Sequence, residues 1–101
     1  MNEFIKLKRP IKDLLSGEGY IEVKPDTKID DGGSEHCIYA SGEKRFMIQW
    51  DGEEGFGSVE SWQGSNTWIM LEPIVPVGTE QDFNRNLQDL CGTIKCLLNT
   101  P

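Results

Sequence analysis

Long apolar runs are missing from this sequence. None approaches the ~18 residues that a membrane-crossing helix needs, and residues 1–9 carry no apolar stretch of signal-peptide length. The expectation is a cytoplasmic protein with no membrane partner. Histidine is nearly absent as well, with His36 alone, and the three cysteines show no C-x-x-C spacing, so no zinc site is assigned. Cys91 and Cys96 stand five apart on an expected helix and point about 140° away from each other, which keeps them from pairing. An odd cysteine count in a chain of this kind fits a reducing compartment.

Catalytic motifs are also lacking. His36 has no serine or cysteine in a nucleophile setting, and its neighbour Cys37 faces the other way on a strand. Neither a phosphate-cradling G-x-x-x-x-G-K-[ST] nor a dinucleotide fingerprint is present; Gly52, Gly55 and Gly57 lie among acids that would repel phosphate and read as turn chemistry. Carboxylates crowd two turns, Asp30-Asp31 and Asp51-Gly-Glu53-Glu54, but neither follows the EF-hand pattern. No catalytic residue, metal or cofactor is therefore assigned.

Bases are scarce. Ten Lys and Arg face seventeen Asp and Glu, for a net charge of −7. The imbalance is uneven: residues 1–12 hold Lys6, Lys8, Arg9 and Lys12 against Glu3 alone, whereas residues 13–60 hold twelve acids against four bases. Such a body repels a phosphate backbone, so nucleic acid is not an expected partner. The basic segment reads as a solvated N-terminal element with its counter-charges on the acidic body.

What is present specifies one domain over residues 1–101, of a length that buries roughly 65% of its extended-chain surface. Pro10 suits the first turn of a short helix, Ile11–Leu15, closed by Gly17 or Gly19. Tyr20–Lys24 alternates as a first strand and stops at Pro25, followed by a loop over 25–35. Residues 37–40, 45–50, 56–62 and 67–71 follow at regular spacing with a turn signal between each, as in a meander. Phe46, Ile48 and Trp50 share one face of the second of these, while the glycine- and serine-rich 56–62 reads as a weaker strand, bulged or at an edge. Residues 73–78 are expected to run extended across the surface.

The strongest periodicity comes last. Thr79 is a good N-cap, and Phe83, Leu87, Leu90, Cys91, Ile94, Leu97 and Leu98 fall within an arc of about 120°. The fold class is thus α+β: an antiparallel four- to five-stranded meander sheet, a long C-terminal amphipathic helix packed on one face, and a short N-terminal helix. One helix covers one face only. Because the central strands are apolar on both sides, a second copy of the chain, as a homodimer, or the N-terminal helix is the expected occupant of the other face.

Function is read from charge and aromatics. Trp50, Trp62 and Trp68 sit near strand ends and flank the turn bearing Asp51, Glu53 and Glu54. Aromatics beside carboxylates compose many protein-binding hot spots. The leading expectation is a non-enzymatic protein-binding module, of inhibitor, immunity or accessory type, that turns this acidic, Trp-flanked face to a basic protein partner. A small-molecule-binding domain, with a pocket between helix and sheet or at a dimer interface, is the alternative; a carboxylate-based enzyme is the third.

Overall fold

In the computed structural model, which describes residues 3–99, the meander forms one antiparallel sheet with two helices on one of its faces. The elements are α1 (Glu3–Gly17), β1 (Ile21–Lys28), β2 (Glu35–Ser41), β3 (Lys44–Asp51), β4 (Phe56–Trp62), β5 (Trp68–Met70), β6 (Val75–Pro76) and α2 (Glu80–Leu98). Strand order is β1-β2-β3-β4-β5, and β6 also pairs with β4. The expected α+β class holds. No helix among the described residues is long and apolar enough to cross a membrane.

Side-chain alternation explains the covered face. Along β3, Phe46, Ile48 and Trp50 are buried while Met47 and Gln49 between them are only half-buried. Their partners across the ladders continue the same layer: Tyr39 and Cys37 on β2, Ser61, Val59 and Gly57 on β4. The helices close over it. In α2, Thr79 Oγ1 accepts the Asp82 N–H at 3.1 Å, and Phe83, Leu87, Leu90 and Ile94 are buried, with Cys91 and Leu98 against the same core. Leu97, on the same arc by periodicity, is 41% exposed in the last turn.

The N-terminal helix differs from expectation. It begins at Glu3 rather than after Pro10, and Pro10 lies inside it. An interior proline costs about 3 kcal/mol through the lost N–H and the clash with the preceding turn. Against that, Phe4, Leu7, Ile11 and Leu15 form one stripe of essentially zero exposure. At roughly 1.5–3 kcal/mol per buried side chain, their gross burial exceeds the proline cost. The basic segment is therefore one face of a core helix. It is α1 that lies across β3 and β4, while α2 packs beside it on α1 and β6.

Three strand assignments also shift. β1 continues through Pro25 to Lys28 because it is an edge strand whose register slips between Lys24 and Thr27, so the missing proline N–H breaks no ladder bond. Nearly all of β1 is exposed, Ile21 and Val23 included. β4 is central, paired with β3 on one side and with β5 and β6 on the other. Its small residues serve close packing: a Cβ at Gly57 would lie 2.6 Å from Leu7 Cδ2 and 3.0 Å from Trp50 Cε3. Finally, residues 75–76 do not merely cross the surface but resume the edge begun by β5, pairing with Phe56 and Gly57.

Gly57→Ala is expected to destabilise the fold by about 1–3 kcal/mol, the usual cost of overpacking, because Leu7 and Trp50 are both held by the core. Urea melts of the variant should show a lower midpoint at unchanged slope; an unaltered midpoint would mean that α1 has room to withdraw.

Candidate functional site

The two acidic turns read separately in the sequence meet in space. The loop between β1 and β2 is closed by Asp30, whose carboxylate accepts the N–H groups of Gly32 at 2.8 Å and Ser34 at 3.2 Å. Those bonds, Ser34 first, hold its carboxyl below the ordinary carboxylate range. The turn between β3 and β4 repeats the device: Asp51 accepts from Glu53 at 3.0 Å and Glu54 at 2.9 Å, and its carbonyl accepts from Gly55. The Gly52 N–H then donates to Ser34 Oγ at 2.8 Å. Contact is so close that a Cβ on Gly52 would sit 2.1 Å from the Gly32 carbonyl oxygen.

This interlock leaves Asp30 and Asp51 occupied with backbone and turns the remaining carboxylates outward. Asp31, Glu53 and Glu54 are exposed and Glu35 half-buried; beside them a cleft of about 360 Å³ is lined by Glu35, by Glu3 of the α1 first turn and by Gly32 and Gly52 of the two loops. Trp50 floors that cleft. It is 5% exposed and packs on Phe83, ring centroids 6.4 Å apart, so it supports the turn from beneath.

The other two tryptophans are elsewhere. Trp62 and Trp68 are cross-strand partners on β4 and β5, in edge-to-face contact at 5.1 Å, half-buried on the face opposite the helices. β4 carries Trp62 six residues beyond Phe56, roughly 20 Å from the acidic turn. The structure thus gathers Asp51, Glu53 and Glu54 with Asp31 and Glu35, places Trp50 under them, and sets Trp62 and Trp68 apart at the far end of the sheet.

A second cluster had no sequence signal. Glu22, Asp26 and Cys37 bring ligand atoms within 4.8 Å of one another, a grouping capable of holding a metal ion. Lys8 of α1 supplies the positive charge there: its Nζ donates to Glu22 at 2.9 Å and to Asp26, and lies over the Tyr39 ring. Lys8 is fourteen residues from Glu22 and eighteen from Asp26, and Cys37 stands on the neighbouring strand β2, so the cluster spans three elements and no spacing rule finds it. Chemically the arrangement is an ion-pair clasp binding β1 to α1. Burial pushes the Cys37 thiol up to about 12, with Lys8 opposing the rise, and burial likewise pushes the Tyr39 hydroxyl up to about 12.

A groove of about 620 Å³ lies between α1 and α2, lined by residues of the two helices, Leu14, Leu87 and Cys91 among them. Among the described residues no carboxylate is buried.

The raised thiol predicts alkaline weakening. An unfolded cysteine ionises near pH ~8.5 and an unfolded tyrosine near ~10, whereas the folded groups keep their protons to about 12. The folded state therefore binds more protons across that interval, and stability must fall as pH rises through it. Urea melts from pH 7 to 10 are expected to show this decline, and Cys37→Ala, less stable at pH 7, should show a flatter one between pH 8.5 and 10. Equal slopes would mean that Cys37 ionises as readily in the native state as in the unfolded chain.

No protein-family model, curated protein or solved structure matches this chain.

Proposed function

We propose that the protein is a non-enzymatic, cytoplasmic protein-binding module of inhibitor type, whose acidic end docks on the basic surface of a partner protein. One observation carries this reading: the Gly52–Ser34 bond and the Asp30 and Asp51 turns fix the backbone on which Asp31, Glu35, Glu53 and Glu54 stand. A prearranged set of carboxylates costs little ordering on association and accelerates encounter with a positive surface. A partner that itself binds nucleic acid fits best, since fixed carboxylates on a rigid platform substitute for phosphates. The flanking aromatics of this reading are Trp50 beneath the turn and the half-buried Phe56, which pairs with Asp51.

The test spares the turn. Asp31→Asn, Glu53→Gln and Glu54→Gln combined remove three charges and leave Asp51 in place. With the tagged wild-type protein as bait in source-cell lysate, a stoichiometric basic partner is expected at low salt and not at high salt. The triple variant should recover at least about tenfold less of it. Equal recovery by the triple variant, or the absence of any basic partner, would overturn the reading.

A further inference from the structure

The sheet face away from the helices carries no helix of its own among the described residues, and its chemistry is ordered in rows across the strands. One row runs Lys24, Ile38, Met47, Glu60, Met70 over β1 to β5; the next runs Thr27, His36, Gln49, Ser58 over β1 to β4. Ile21 is 67% exposed and Met70 43%, and Trp62 and Trp68 close the far edge. Two atoms buried on this face, His36 Nε2 and Ser58 Oγ, have no hydrogen-bond partner, although Ser58 is only 1% exposed. Glu60 is desolvated by its surroundings, which raises its carboxyl, and makes no ion pair among the described residues; nor does Lys24.

Both rows are self-complementary. A two-fold axis laid along the strands, between β2 and β3, exchanges β1 with β4 and β2 with β3 of a second copy. In the first row it sets Lys24 opposite Glu60, twice, with Ile38 against Met47 between the pairs. In the second it sets Thr27 opposite Ser58 and His36 opposite Gln49, polar residue against polar residue. An isologous interface requires this pattern, a patch that answers itself under a two-fold rotation.

We propose that the occupant of this face is a second copy of the chain, in a symmetric face-to-face dimer held by reciprocal Lys24–Glu60 pairs around an Ile38–Met47 core. Strand spacing and length give the face roughly 20 × 20 Å. With the relief of its side chains, two such faces bury about 1,000 Å² in total, the lower limit for specific association, and the dimer is accordingly a weak one. Sheets pack face to face at about −30°, within reach of long lysine and glutamate side chains at the flanks. The interface lies on the sheet face while the acidic turns lie at the strand ends, so this dimer stands or falls independently of the basic partner.

Charge reversal tests it. Sedimentation equilibrium of the purified wild-type chain at rising concentration is expected to reach twice the 11.4 kDa monomer mass. Lys24→Glu places carboxylate against carboxylate at both ends, and Glu60→Lys places ammonium against ammonium. Each should weaken the dimer at least about tenfold, while the double reversal K24E/E60K should restore it to within about threefold. Circular dichroism melts of all three variants confirm that each is folded. A wild-type chain that stays monomeric at high micromolar concentration, or folded single variants that dimerise as before, would overturn the proposal. So would a folded double variant no better than the singles.

Discussion

The close approach of Leu7 to the bare backbone at Gly57 sets the geometry of the molecule. With no Cβ on β4 at that point, α1 lies low across β3 and β4 and brings Phe4, Ile11 and Leu15 to full burial on either side. That depth in turn carries Lys8 to the edge strand, where Glu22 and Asp26 receive it, and sets the first turn of α1 beside the acidic loops. Gross burial of the helix stripe outweighs an interior proline. Local propensity yields here to tertiary packing, as it does wherever a long apolar stripe is available.

Where local pattern and tertiary demand agreed, the sequence was readable. The α2 periodicity, its Thr79 cap and the alternation of β3 all reflect burial on one side only, and each appears where the pattern puts it. Pro10 and Pro25 misled in opposite ways: one sits in a helix because Leu7 and Ile11 on either side of it are buried, the other in a strand because its edge is unpaired. The glycine and serines of β4 signalled weakness by composition, yet Gly57 is where α1 approaches the strand closely, since the residue a close approach needs is also one of low strand propensity.

The candidate site was half legible. Asp51, Glu53 and Glu54 were visible as a charged turn, but their union with Asp31 and Glu35 depends on two loops interlocked through Gly52 and Ser34, a contact between residues eighteen apart with no periodicity to reveal it. The tryptophans were grouped by their nearness to strand ends. Strand parity separates them: Trp50 belongs to the layer beneath the helices, and Trp62 and Trp68 to the opposite face. Parity was available for each strand alone, but the register that relates one strand's ends to the next was not.

Salt acts on the two proposed surfaces in opposite senses, which is why one small chain can carry both. Binding of a basic protein at the acidic turns draws on long-range attraction, and screening by a Debye length of about 8–10 Å at ordinary ionic strength weakens it. Two copies of a chain with net charge −7 repel each other over the same distances, so screening favours their approach. Once the faces touch, the Lys24–Glu60 pairs act at contact range and in a partly desolvated setting, where added salt reaches them little. In the two proposed interactions, then, long-range charge would govern who approaches the acidic end, and short-range complementarity what settles on the sheet.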